Sequence, residues 1–102
     1  MLEAFTIGTF AAHLGETFAL RLDSATTLDL ELIAATALSE ATASGRPSQR
    51  RTPFSIVFRG PLQPILPQRI YRMEHAAIGT FELFLVPVGP GERGMRYEAI
   101  FT

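Results

Sequence analysis

The sequence contains no cysteine and no lysine. Without thiols there are no disulfides, no zinc–thiolate centres and no thiol catalysis, and the chain is equally at home in any redox compartment. Without lysine, all nine basic residues are arginine; they stand against ten acidic residues, for a net charge of −1. A chain that is not basic overall is a poor nucleic-acid binder, and no nucleic-acid partner is expected. No apolar run approaches the roughly 20 residues of a transmembrane helix, so no membrane partner is expected either. The opening residues MLEAFTIGTF carry Glu3 and no basic leader. They predict no secretory signal and a cytoplasmic location by default, with incorporation into an exported particle left open.

What the chain does have is enough apolar material for one core. At 102 residues and 47% hydrophobic content it reads as a single domain spanning 1–102. Charge is unevenly spread. Residues 1–45 hold six acids and one arginine, and residues 46–102 hold four acids and eight arginines, giving about −5 and +4. SEATASGRPSQRRT, residues 39–52, has no side chain able to anchor it in a core, and it predicts a flexible loop.

Elsewhere the dominant signal is alternation. TFAAHLGE predicts one or two helical turns, with Thr9 as N-cap, Phe10 and Leu14 on one face and Gly15 as a left-handed C-cap. ETFALRLDS then sets Phe18, Leu20 and Leu22 on one side, and TLDLELIAATAL repeats this with Leu28, Leu30 and Leu32 against Asp29 and Glu31. Two such runs around a short polar break predict a β-hairpin. After Ile33 the alternation blurs and alanine's helical preference competes. FSIVFRG, RIYRMEH, TFELFLVPV and MRYEAIFT continue the period of two, with Pro87 placed at a strand end or an edge. Six strands and one short helix predict a mainly β fold: a small antiparallel β-sandwich or a partly open barrel.

The chemistry-bearing residues are few. His13 and His75 are the only histidines, and neither an HxH nor an HExxH spacing occurs; a metal would need a carboxylate such as Glu16 or Glu74 to join them. No GxSxG elbow is present, GPGERG lacks the GK[ST] ending of a phosphate loop, and Asp29 and Glu31 read as the solvated face of a hairpin. Glu74, Glu82 and Glu98 fall beside Arg72 and Arg96 on neighbouring strands, where cross-strand ion pairs are expected. These readings predict no enzyme, no catalytic residue, no metal and no cofactor.

The stretch FRGPLQPILPQRIYRMEH carries three prolines, Pro61, Pro64 and Pro67. Pro61 ends one strand, and Leu62, Ile65 and Leu66 are expected to tuck under the sheet and plug one end of the core. Arg59, Gln68 and Arg69 mark the two ends of that loop. A second signal is the outer face of the C-terminal strands, where Val57, Ile70, Phe84, Val86 and Ile100 replace the polar residues a solvated face should have. Either the short helix or sheet curvature covers them, or they meet a partner. The candidate interface is therefore Val57, Arg59, Gln68, Arg69, Ile70, Phe84, Val86 and Ile100.

FSIVFRGPLQPILPQRIYRMEH, GTFELFLVPVGP and GMRYEAIFT, with LEAFT and GETFALRL before them, resemble a family of uncharacterised bacterial proteins of about this length. Members tend to be encoded near proteins with phage-tail-collar-like domains, and the resemblance implies association with a tail-like or fibre-like assembly. It carries over no catalytic residue. Relatives have a glycine after the glutamine at Gln68, where this chain has Arg69. Two functions follow as expectations. One is a structural or adaptor module, acting through a sheet edge, its apolar outer face or self-association. The other is a small-ligand-binding barrel whose mouth is closed by Leu62–Leu66.

Overall fold

A computed structural model describes residues 5–38, 53–91 and 93–101. Helix α1 (Ile7–Ala11) is followed by strands β1 (Thr17–Arg21), β2 (Thr27–Ala37), β3 (Phe54–Gly60), β4 (Arg69–His75), β5 (Gly79–Pro90) and β6 (Met95–Phe101). The strands close into an antiparallel barrel in the order β1-β2-β3-β6-β5-β4. Of the two architectures expected, the barrel forms, and it is closed. β4, β5 and β6 are joined by hairpins while β3 lies beside β6, so the connection at 61–68 crosses one end of the barrel as in a Greek key. The flexible loop expected at 39–52 lies outside the described residues.

Strand register follows the alternation. Phe18 and Leu20 of β1, Leu30 and Leu32 of β2, Phe54, Ile56 and Phe58 of β3, and their counterparts on β4–β6 are all buried in one core. β2 remains a strand through Ala37, with a bulge between Leu32 and Ala34 where the alternation blurs; pairing with β3 overrides alanine's helical preference there. Pro87 lies past the last β4 partner of β5 at Leu85, so its one registered neighbour is Tyr97 of β6 and it occupies a local edge. It also adjoins a bulge between Pro87 and Gly89, an irregular place that tolerates a residue without an N–H.

The turns are tied by side-chain acceptors. Asp23 Oδ1 accepts the N–H groups of Ala25 and Thr26 at 2.8 and 2.9 Å, closing the β1–β2 hairpin. His75 Nδ1 plays the same part in the β4–β5 turn, accepting from Ala77 and Ile78 at 3.1 and 3.2 Å. That turn ends on Gly79 at φ +99°, a left-handed conformation suited to glycine.

α1 begins earlier than the sequence pattern suggests. Its N-cap is Thr6, whose N–H donates to Thr9 Oγ1 at 3.0 Å, so Thr9 is a helical residue and not the cap. Phe10 points into the barrel and is fully buried, whereas Leu14 is about half exposed. The helix thus stoppers one end of the barrel and does not cover the outer face of β4–β6. At the opposite end Leu66 alone of the three loop residues is buried; Leu62 and Ile65 face outward, 56% and 59% exposed. The loop is anchored by hydrogen bonds as much as by burial. The Leu66 N–H donates to Tyr97 Oη at 2.9 Å, and Tyr71 Oη donates to the Pro67 carbonyl at 2.6 Å.

Candidate functional site

Every strand has a neighbour on both sides, but the β5–β6 register covers only Val86–Pro90, so β5 from Gly79 to Leu85 is registered with β4 alone. The β5–β6 seam is interrupted toward the helix end, where Phe10 stands 6.0 Å from the ring of Phe81 and 5.4 Å from that of Phe101. Rings occupy the described interior: Phe10 meets Phe18 and Phe81, and Phe18 meets Phe58 and Phe81, edge-on or tilted at centroid distances of 5.2 to 6.5 Å. Phe10 stands at one mouth of the barrel and Leu66 at the other, both buried.

The outer face is where the structure departs from a solvated surface. Ile70 of β4 stands directly opposite Phe84 of β5, and the two are 62% and 50% exposed. Ile100 on β6 is 59% exposed. Beside the first pair, Arg72 faces Glu82 across the same two strands. Val86 and Val57 flank Glu98 from either side, each half-buried. Gln68 and Arg69 are exposed at the start of β4, and the Arg69 guanidinium lies 5.3 Å from the Tyr71 ring centroid. Of the eight sequence candidates, Val57 lies on β3, Arg69 and Ile70 on β4, Phe84 and Val86 on β5 and Ile100 on β6, with Gln68 just before β4.

Arg59 separates from that set. Its guanidinium is bonded to Glu31, so Glu31 is not simply a solvated hairpin residue. The pair lines a shallow groove of about 260 Å³ with Thr17, Asp29, Pro61 and Arg93. Glu74 likewise does not pair with Arg72 or Arg96 but accepts two bonds from Arg21, at 2.9 and 3.1 Å. That bridge spans the β1–β4 seam, which has three register pairs.

The fold also assembles a polar cluster that spacing alone could not reveal. Glu16 Oε1 is 2.9 Å from His13 Nδ1 and 2.7 Å from His75 Nε2, and the two imidazoles meet edge to face at 4.7 Å. His75 is 5% exposed at its side chain and stacks on Phe18 at 4.3 Å, while Glu16 is 48% exposed. Because His75 Nδ1 accepts two backbone N–H groups, the ring's proton sits on Nε2 and is donated to Glu16. The hydrogen bond from His75 holds the Glu16 carboxyl below the usual carboxylate range against a desolvation penalty, and His13 adds to the effect. His13 and His75 are 62 positions apart, and only closure of β1 on β4 brings them together.

Among the described residues no helix is long and apolar enough to cross a membrane. No curated protein and no solved structure matches the chain. A family model matches residues 5–101, the whole barrel and its helical stopper, and the chain accordingly belongs to the domain of unknown function DUF6916.

Proposed function

We propose that this barrel is a non-enzymatic docking module, an adaptor or structural part of a tail-like or fibre-like assembly, that binds a protein partner through the outer face of β4–β6. The observation that carries this reading is the Ile70–Phe84 pair: two large apolar side chains, directly opposite on adjacent strands, each at least half exposed. An isolated exposed apolar residue needs no explanation, but a pair directly opposite across two strands does, and Ile100 on β6 is a further large exposed apolar residue. Charges of both signs, Arg72 and Glu82, border the pair and supply the polar rim typical of an interface. A closed barrel is a rigid platform for such a patch, since the same strands bury Tyr71, Met73, Leu83 and Leu85 on their inner side.

The reading is tested with a collar-like protein encoded beside the gene, the partner that the family resemblance suggests. Isothermal titration with the purified neighbour is expected to give binding that Phe84→Asp reduces at least tenfold, as expected for an aromatic anchor at the centre of an interface. Unchanged affinity in the double variant Ile70→Asp/Phe84→Asp, with its fold intact by circular dichroism, would remove the proposal.

A further inference from the structure

We propose that His13, Glu16 and His75 form a binding site for a divalent transition-metal ion of the zinc, cobalt or nickel type. One ligand atom from each residue, His13 Nδ1, Glu16 Oε1 and His75 Nε2, lies within 4.8 Å of the other two. Two imidazoles and one carboxylate are a donor set that these borderline ions prefer, whereas calcium and magnesium favour all-oxygen sites. Three protein ligands leave a further position for water, and the half-exposed Glu16 gives the ion a way in from solvent.

The site is built unevenly, and this sets how it loads. His75 is the fixed ligand, buried against Phe18 and held at Nδ1 by the Ala77 and Ile78 N–H groups. Glu16 is the adjustable one, exposed and free to move the few tenths of an ångström that separate a hydrogen-bonded cluster from a coordinated one. Zinc–ligand bonds of about 2.0–2.2 Å set donor atoms somewhat further apart than the 2.7 and 2.9 Å seen here.

Loading must also displace the proton on His75 Nε2, since a metal needs the nitrogen lone pair. The neutral ring's single proton then moves to Nδ1, opposite two N–H donors, and the 75–79 turn releases its bonds to that nitrogen. The site therefore predicts two linked events: the His75 proton shifts from Nε2 to Nδ1 as the metal enters, and the Ala77 and Ile78 amides change environment.

The test uses the untagged full chain, because an affinity tag of histidines would bind the same ions. Zn²⁺ added at about a hundredfold excess over its dissociation constant is expected to raise Tm by roughly 10 °C. Co²⁺ is expected to develop visible d–d absorption, and the Ala77 and Ile78 amide resonances to shift first in a zinc titration. His13→Ala and Glu16→Gln, both at accessible positions, are expected to fold and to lose the Tm increase and the cobalt spectrum. The proposal is overturned if millimolar Zn²⁺, Co²⁺ and Ni²⁺ all leave the wild-type Tm unchanged. It is equally overturned if Tm rises by the same amount in wild type and both variants; the cluster is then a hydrogen-bonded clasp only.

Discussion

At the helix end of the barrel the stopper is Phe10, whose ring lies 5.4 to 6.5 Å from those of Phe18, Phe54, Phe81 and Phe101. At the other end a proline-punctuated loop lies across the opening, buries one leucine, and hangs from the hydroxyls of Tyr97 and Tyr71. The first closure is apolar, and its strength comes from area removed from water and from packing. The second depends on direction: a buried N–H and a carbonyl each find one phenolic oxygen. The contrast explains why α1 needs only five residues. One ring placed on the barrel axis does the packing, and the helix serves to aim it.

Substitutions at the two ends should therefore fail in different ways. The largest effect is expected for Phe10→Ala, which empties the stopper and should cost about 3–5 kcal/mol, read as a shift in the denaturation midpoint. A loss below about 1 kcal/mol would mean that the rings around it collapse inward and that the stopper is dispensable. Tyr97→Phe keeps the ring but strands the buried Leu66 N–H, so about 1–3 kcal/mol should be lost, with faster amide exchange confined to residues near Leu66. If exchange quickens equally at α1, the two ends are not independent. Gly94→Ala should also act at the loop end, because a Cβ there would overlap the Gly60 carbonyl; protection of the β3–β6 seam should fall while that of α1 persists.

The smallest effect is electrostatic. Burial raises the Tyr71 hydroxyl above its ordinary value of 10, with the Arg69 charge opposing the rise and Tyr97 adding to it. A raised folded-state value means that the hydroxyl's contribution to stability is fully present below pH 10 and is lost as pH climbs through the raised value. With two tyrosines and no tryptophan, the phenolate absorbance is easily followed. Its difference between wild type and Tyr71→Phe should appear only above pH 10, and ionisation at or below 10 would show the loop end to be open to water.

Much of this arrangement was legible in the residues themselves. The inward positions of β1 through β6 follow the alternation, because a strand with one buried face must repeat every second residue. Asp23 in its turn is a local feature set by side-chain reach, and Gly15 takes the left-handed φ of +86° expected of it, but not as the C-cap: α1 ends at Ala11 and is capped by Ala12, three residues earlier. The outer apolar residues Ile70, Phe84 and Ile100 were also visible as breaks in the polar face. What the alternation does not encode is which strand lies beside which. Alternation alone therefore puts Arg59 with the interface, although register sets it against Glu31, and it matches Glu74 to Arg72 or Arg96 when β1 supplies Arg21. The His13–Glu16–His75 cluster is the extreme case. Its members carry no spacing signal, and the barrel's closing seam creates it.

That seam also bears on how the chain reaches its fold. Arg21 and Glu74, whose ion pair crosses it, are 53 residues apart in sequence. Hairpins such as β1–β2 and β4–β5 need only short loops and can form within microseconds, whereas joining β1 to β4 must first gather most of the chain. An all-β topology closed by distant contacts belongs among the slow two-state folders, in the millisecond-to-second range. On this topology the meeting of the first strand with the fourth is expected to come late, and the ion pair and polar cluster that straddle this junction then act as its latch.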